Sequence, residues 1–233
     1  MKSYCFTLAL SLFSATSALA DTPKFIDIIG SSSDVEDVQT IKIALKAGVD
    51  PNATDAEGNS ASFWAIYKNH PKALVKLLKA GASPNSRNKQ GTTLLMNAAD
   101  NAVKDPKFTQ MVVILLKHRA DINAEIHGTT ALASAVAEVS FAKEQSVSVP
   151  PVIEYLLQRG ADPNICATPD PKIPGISPLM AAARFGKSAL VKVLLKYKAR
   201  IDLKGPGGKT AIDIAIDNKH ADLAKELQRA LKP

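Results

Sequence analysis

The chain has 233 residues, with 29 Lys and Arg against 22 Asp and Glu, which gives a formal net charge of +7 at pH 7. Outside residues 1–20, Cys166 is the one remaining cysteine, so an internal disulfide is excluded there and the fold must be held by packing. Basic patches that bind nucleic acid are usually interleaved with aromatic side chains, and 7 Phe, 4 Tyr and 1 Trp are too few to favour that class.

Residues 1–20 have the three parts of a secretory signal peptide. Lys2 gives a positive start, residues 4–13 are mostly apolar, and residues 18–20 read Ala-Leu-Ala, a small-x-small cleavage site. We expect cleavage before Asp21. A short signal led by a lysine fits bacterial export, so we expect a periplasmic or secreted protein. No later stretch is apolar over the about 18 residues that cross a bilayer, so stable membrane insertion is not expected.

Two landmarks recur through the remainder of the chain. The first is Gly-x-Ser/Thr ahead of an apolar helical stretch, and it begins at Gly58, Gly91, Gly128, Gly175 and Gly208. The second is a Leu-Leu pair followed by a turn, at residues 77–78, 115–116, 156–157 and 194–195. The first landmark returns after 33, 37, 47 and 33 residues, and periods of this size indicate a repeat array. The two short helices of one unit cannot bury their apolar faces alone, so each unit needs neighbours.

In order and spacing, these landmarks resemble the ankyrin repeat family, in which Gly-x-Thr-Pro-Leu-His-x-Ala-Ala precedes Leu-Leu-x-x-Gly-Ala-Asp-x-Asn. The best copy is residues 175–199. The resemblance implies an all-α fold, an ankyrin-repeat solenoid of about six helix-turn-helix repeats joined by β-hairpin turns. Residues 21–233 are then one repeat domain, divided into an N-terminal cap repeat at 25–52, repeats at 53–85, 86–123, 124–164 and 165–202, and a C-terminal cap repeat at 203–233.

Three stretches lengthen the repeats. Compared with the first full repeat, five extra residues fall near 100–107 and nine near 138–149, in both cases between the paired helices. A third stretch, at 167–174, is rich in proline and lies in a hairpin. The two inserts between helices either elongate those helices or build a surface, and the sequence leaves both possibilities open.

The sequence shows no catalytic, cofactor or metal constellation. The 4 histidines fall in different repeats without a partner at metal-ligand spacing, and His70 and His220 occupy the turn between helices, which is typical of a structural role. Residues 205–210 read Gly-Pro-Gly-Gly-Lys-Thr, but Leu203 stands where a phosphate-binding loop needs glycine, so these glycines indicate a hairpin. We therefore expect no enzyme activity, no cofactor and no metal.

A protein-binding role is the remaining expectation. In the ankyrin family, partners are recognised on the concave face by the hairpin tips and by the last exposed positions of each first helix. The resemblance places ten candidate residues there: Tyr67, Lys68, Lys89, Gln90, Ile126, His127, Ile173, Ile176, Arg184 and Phe185. The large side chains among them are expected to be exposed, whereas Trp64 is expected to point into the core.

These residues suggest a monomeric module for one protein partner, as an inhibitor or immunity factor or an assembly factor. Two other interpretations stay open. The same module could be a secreted effector that acts on host proteins, or a redox or enzymatic accessory protein that uses the thiol of Cys166 in its proline-rich loop.

Overall fold

The computed structural model describes residues 33–142, 148–168, 172 and 174–231. The regular structure of these residues is helical, apart from two 3-10 turns and four isolated β-bridges that close hairpins. The all-α fold expected from the sequence is therefore confirmed. The α-helices are α1 Asp34–Lys46, α2 Ala61–Tyr67, α3 Pro71–Lys79, α4 Leu94–Lys104, α5 Thr109–Lys117, α6 Ala131–Phe141, α7 Pro151–Gln158, α8 Pro178–Arg184, α9 Ser188–Lys196, α10 Ala211–Asp217 and α11 Ala221–Leu231. The expected signal peptide and the first helix of the N-terminal cap repeat fall outside the described residues.

The chain forms two compact units. The first contains Met1–Asn101 and Lys107–Asp121, and the second contains Ala102–Pro106 and Ile122–Pro233. In the first unit, α3 packs against α1, α2 and α5. In the second, α6 packs against α7 and α8, α8 against α9 and α10, and α10 against α11. Each short helix therefore buries its apolar side against neighbouring helices, as repeats of this size require.

The Gly-x-Ser/Thr landmark marks the start of the first helix of a repeat. In four repeats the hydroxyl oxygen accepts a hydrogen bond from the backbone N–H three residues later. These caps are Thr93, Thr130, Ser177 and Thr210, which accept from Met96, Ala133, Met180 and Asp213 at 3.1, 3.1, 3.2 and 3.3 Å. Ser60 takes the same place before α2 without this bond. A cap of this kind satisfies an otherwise open donor and contributes about 1 kcal/mol.

The Leu-Leu landmark closes the second helix of a repeat. An alanine just beyond the helix donates its N–H back to the first leucine of the pair. The four bonds run from Ala82 to Leu77, Ala120 to Leu115, Ala161 to Leu156 and Ala199 to Leu194, each at 3.0 Å. The residue before the alanine has a positive φ, and it is glycine in two turns but Arg119 and Lys198 in the others. A left-handed conformation costs a non-glycine residue about 1–2 kcal/mol, so packing maintains the turn against local preference.

An asparagine in each of four hairpins bridges to the end of the following second helix. The side chain of Asn52 accepts the N–H of Ser83 at 2.7 Å and donates to the carbonyl of Gly81 at 3.1 Å. The same acceptor role is taken by Asn85, Asn123 and Asn164, which accept the N–H of Asp121, Asp162 and Arg200 at 2.8, 2.9 and 2.8 Å. These bonds tie loop to loop, so they do not depend on how long the helices between the loops are.

The inserts between helices lengthen the first helix of their repeats. Helices α4 and α6 have 11 residues, whereas α2, α8 and α10 have 7. After α4 the chain adds the 3-10 turn Pro106–Phe108. Helix elongation thus accounts for one extra turn in each insert. In α6 that turn ends at Phe141, which becomes important for the surface described below.

Asp55 organises the first described hairpin. Its carboxylate accepts the backbone N–H of Glu57 and of Asn59 at 3.0 and 2.8 Å, and the indole N–H of Trp64 at 2.9 Å. Trp64 is only half-buried, so its expected core position was wrong, because its polar edge is directed to this carboxylate. Burial raises the pKa of Asp55, but the hydrogen bonds from Asn59, Trp64 and Glu57 outweigh it and hold the pKa below the ordinary value.

Replacing Asn52 by alanine should lower the free energy of unfolding by about 1–2 kcal/mol, because two hydrogen bonds between neighbouring loops are lost. Urea denaturation followed by far-UV circular dichroism measures the change. Asn218→Ala is the matched control, since this exposed asparagine donates to Ile214 of its own helix and ties no loops together. Equal losses in the two variants would contradict the bridging role.

The variant Asp55→Asn should be less stable than the wild type by about 1 kcal/mol at neutral pH, a modest value because solvent screens this half-exposed carboxylate. The folded-state pKa lies below the unfolded-state value of about 3.9. The stabilisation is therefore present above about pH 4 and is lost as the pH falls through the folded-state pKa. Urea titrations read by the fluorescence of Trp64, the one tryptophan, should show the difference in the free energy of unfolding shrinking as the pH falls below about 4. Asp222→Asn, at a fully exposed carboxylate, serves as control; a pH-independent loss in Asp55→Asn is the contrary result.

Candidate functional site

In the first unit, the candidate surface is an aromatic ring beside a cation at the end of α2. Tyr67 is 60% exposed, and its ring meets that of Trp64 edge to face, with centroids 5.9 Å apart and planes at 83°. The ammonium of Lys68 lies 5.5 Å from the centroid of the Tyr67 ring. The indole N–H of Trp64 is already fixed by Asp55, so the aromatic pair has a defined orientation. Tyr67 thus presents apolar area to solvent with little freedom to lose on binding.

Four candidates lie at hairpin tips, and they are Lys89, Gln90, Ile126 and His127. Backbone bonds join neighbouring tips within each unit. In the first, the N–H of Lys89 donates to the carbonyl of Glu57 at 3.1 Å; in the second, the N–H of Thr168 donates to the carbonyl of His127 at 2.8 Å. Ile126 is half-buried rather than exposed as expected, and its backbone forms the β-bridge with Thr129 that closes its tip. Lys89, Gln90 and His127 are exposed.

Three candidates of the second unit converge on one apolar cavity of about 190 Å³ between α6, α8 and the hairpin that precedes α8. They are Ile176, Arg184 and Phe185. The remaining lining residues are small or apolar: Ala133, Ala137, Ser140, Phe141, Ala167, Ser177, Pro178 and Ala181. Arg184 is exposed, but Ile176 and Phe185 are half-buried, so the expectation that they are exposed was wrong, because both face this cavity. The candidate Ile173 falls outside the described residues.

Phe141 forms the outer wall of the cavity. It is 69% exposed and stands on the extra turn of α6, where its ring meets that of Phe185 with centroids 4.9 Å apart and planes at 61°. The ammonium of Lys187 donates to the carbonyl of Ala142 at 2.9 Å and so holds the end of this turn. Phe141 is absent from the predicted candidates because it lies in an insert, where the shared pattern of the repeats has no equivalent position. An aromatic residue inside a polar insert is the signal that could have identified it.

Two backbone contacts fix the hairpin wall of the cavity. Ala167 and Ile176 exchange backbone hydrogen bonds at 3.0 and 2.8 Å. A Cβ at Gly128 would lie 2.1 Å from the carbonyl oxygen of Cys166, and a Cβ at Gly175 would lie 2.7 Å from the same atom. Neither position can carry a side chain without moving the backbone, which explains why the glycine of the repeat landmark is required here.

The polar groups that line the cavity are two hydroxyls with hydrogen-bond partners and the guanidinium of Arg184, which is exposed to solvent. The hydroxyl of Ser177 caps α8, and that of Ser140 donates to the carbonyl of Val136 at 2.7 Å. The guanidinium of Arg184 lies 5.8 Å from the centroid of the Phe185 ring. No ion pair within the described part of the chain involves Arg184. The site is therefore an apolar depression, and Arg184 is the one charged residue among those that line it.

Cys166 is poorly placed for redox chemistry. Burial raises the pKa of its thiol, and the negative charge of Asp162 raises it further. The S–H group donates to the carbonyl of Asn164 at 3.4 Å. Since the thiolate is the reactive form, a raised pKa leaves less of it at neutral pH. This environment weighs against an accessory role that depends on Cys166.

The histidines of the turns between helices bond to nearby protein groups. The Nδ1 atom of His70 lies 2.6 Å from Oδ2 of the fully buried Asp37, and Nε2 of His220 lies 3.2 Å from the carbonyl oxygen of Arg184. His220 thus supports the backbone at the rim of the cavity. Across the described ranges, no three His, Cys, Asp or Glu side chains come together as a possible metal site. None of the helices described there is long and apolar enough to cross a membrane.

Comparisons with known proteins agree with the geometry. The model of the family "Ankyrin repeats" matches three times, at residues 31–126, 72–165 and 142–231. The ankyrin repeat domain-containing protein SAT10 of Stachybotrys chartarum is 26% identical over 80% of this chain and 10% of its own length, and protein glp-1 of Caenorhabditis elegans is 29% identical over 81% and 14%. The cyclin-dependent kinase 4 inhibitor B of Rattus norvegicus is 38% identical over 34% of this chain and 58% of its own length. The chain thus spans only a small part of the first two relatives.

The ankyrin repeat domain of Bcl-3, a solved structure, matches with a TM-score of 0.73 over 90% of this chain and 86% of that chain, at 20% identity. At this identity the likeness establishes the fold alone. The family model, in contrast, matches the sequence through nearly all of the described residues. The chain therefore belongs to the ankyrin repeat family, whose repeats are protein–protein interaction modules.

Proposed function

We propose that this protein is an exported, non-catalytic module that binds one protein partner through its hairpin tips and the ends of its first helices. The observation that carries the proposal is Phe141, which is 69% exposed, packs on Phe185 and borders an apolar cavity. Exposed aromatic area beside an arginine is the composition of binding hot spots.

The same pairing of a ring with a cation occurs in each unit. Tyr67 ends α2 and is followed by Lys68, whereas Arg184 ends α8 and is followed by Phe185. In both cases the cation lies within 6 Å of the ring centroid, at 5.5 and 5.8 Å. Cations held over aromatic faces keep their charge while adding to the apolar contact area. Similar pairs end the second helices α7 and α9, with Arg159 4.9 Å from the Tyr155 ring and Lys196 5.2 Å from the Tyr197 ring. It is the greater exposure of the Tyr67 ring that supports recognition through the end of a first helix.

The sequence of residues 1–20 supports export, to the periplasm or beyond the cell. The one cysteine of residues 21–233 makes no internal disulfide, so packing alone must hold the fold even in an oxidising compartment. Within such a compartment we favour an inhibitor or immunity partner of a toxin or hydrolase, or an assembly factor. One relative is by its name an inhibitor of cyclin-dependent kinase 4, so inhibition of an enzyme is a use of related repeats. A secreted effector acting on host proteins would differ in destination and not in the binding surface.

Residues 21–233 carrying an affinity tag should retain one stoichiometric partner from a periplasmic extract of the source organism. The double variant Tyr67→Ala, Phe185→Ala should retain at least about tenfold less, because hot-spot aromatics carry most of the binding energy. Quantitative mass spectrometry of the captured proteins measures the loss. Lys225→Ala, on the exposed side of α11, is the control and should retain the wild-type amount. If no partner is captured, or the double variant captures it equally well, the proposal fails.

The full chain expressed in a bacterium should reach the periplasm and begin at Asp21 after processing. Leu10→Arg places a charge in the apolar stretch of the signal and should leave the protein in the cytoplasm with residues 1–20 attached. Cell fractionation with N-terminal mass spectrometry gives both readouts. Retention of residues 1–20 in the wild-type protein would show that the segment is not a cleaved signal.

A further inference from the structure

The cavity beside Phe141 has the size of one side chain. Its volume of about 190 Å³ exceeds the about 150 Å³ of an engineered protein cavity that binds benzene. It is smaller than the roughly 300–1,000 Å³ of pockets that enclose drug-sized ligands. The cavity therefore admits an aromatic ring or a branched aliphatic group, and it is too small for most cofactors.

The walls of the cavity require an apolar occupant. It is lined by the methyl groups of Ala133 and Ala137 on α6 and of Ala181 on α8, and by the rings of Phe141 and Phe185, which contact each other. The hydroxyls in the lining are already hydrogen-bonded, so they offer little to a polar group. An apolar side chain that enters removes both its own surface and these walls from water.

The charge at the mouth of the cavity favours an acidic partner. Arg184 is exposed, rests against the Phe185 ring and pairs with no carboxylate of the described residues. Helix α8 carries no acidic residue, and the one acidic residue of α6, Glu138, pairs with Lys104 at 3.3 Å. The segment that follows, residues 187–233, has 11 Lys and Arg against 5 Asp and Glu. A planar guanidinium held by a ring is well prepared for a bidentate bond to a carboxylate.

From size, wall chemistry and charge together, we infer that this cavity recognises a short acidic segment of the partner protein. One bulky apolar side chain of that segment fills the cavity, and an Asp or Glu close to it in sequence pairs with Arg184. The inference rests on the proposed function, since it names the part of a partner that the second unit binds. Tyr67 and Lys68 belong to the other unit and are not needed for it.

Selection of dodecapeptides from a random phage library on residues 21–233 provides the probe. Enriched peptides should share one Phe, Leu, Trp or Ile with Asp or Glu within about three positions. Fluorescence polarisation with the synthetic peptide then gives its affinity for each variant. Ala181→Phe fills the cavity from α8 and should weaken binding at least about tenfold; Ala137→Phe fills it from α6 and serves if the first variant does not fold, as judged by circular dichroism.

Arg184→Gln should lower the affinity for the peptide at least about threefold. It should also make this affinity less dependent on salt concentration, because one charge pair is lost. Lys225→Gln removes the same charge on α11, outside the lining of the cavity, so it should bind the peptide normally. Three results would overturn the inference. No peptide enriches; the enriched peptides bind Ala181→Phe and Ala137→Phe as tightly as the wild type; or Arg184→Gln binds them with wild-type affinity.

Different results would contradict the partner-binding function and the role of the cavity. If the chain captures a stoichiometric partner that Ala181→Phe and Ala137→Phe still retain, the binding function stands and the role of the cavity is wrong. If the peptide binds the cavity but no partner is captured from the extract, the pocket chemistry stands and the proposed function is wrong. Light scattering of the protein alone identifies a second copy as occupant: a dimer that the filled variants abolish would also overturn the inference.

Discussion

The asparagine amide that joins one hairpin to the next is the interaction on which the rest of the structure depends. An amide is suited to this place because its oxygen accepts from one backbone group while its nitrogen donates to another. Asn52 does both, with the N–H of Ser83 and the carbonyl of Gly81. Helices of 7 to 11 residues are too short to persist alone, so they bury their apolar sides against neighbouring helices, and the loop-to-loop bonds keep those helices in register.

These constraints are distributed unevenly along a repeat. Caps such as Thr130 fix the N-terminal end of a first helix, and the alanine turns and asparagine bridges fix the C-terminal end of the second. The C-terminal end of the first helix closes with the same kind of backbone turn in α2 and α8, where the N–H of His70 donates to Ala65 at 2.8 Å and that of Lys187 to Ala182 at 3.0 Å, but the asparagine bridges lie at the other end of the repeat. Tyr67, Phe141 and Arg184 stand at the C-terminal end of their first helices. The length of the first helix at this end varies between repeats while the asparagine bridges are kept, which is why we place recognition there.

The repeat fold could be predicted from the sequence because its signals are local. A Ser or Thr two residues after a glycine precedes the first helix in five repeats and caps it through its side chain in four, and this pattern located the first helices. The cavity could not be predicted in the same way. It exists because an insert adds a turn to α6, because Phe141 happens to end that turn, and because alanines face each other across α6 and α8. The half-buried state of Ile176 and of Phe185 likewise depends on what packs beside them, which spacing along one segment does not reveal.

The extra turn of α6 has a consequence for how such a protein can change its partner. One added turn moves the end of a helix by about 5.4 Å, about the thickness of a side-chain layer. The loop-to-loop bonds remain in register, because they join the hairpins and the loops that follow the second helices. The added turn lies at the opposite end of the repeat. We therefore expect that inserting or deleting one turn at the end of a first helix would change which partner this chain binds. Substitutions at that end would then adjust the contacts with the new partner.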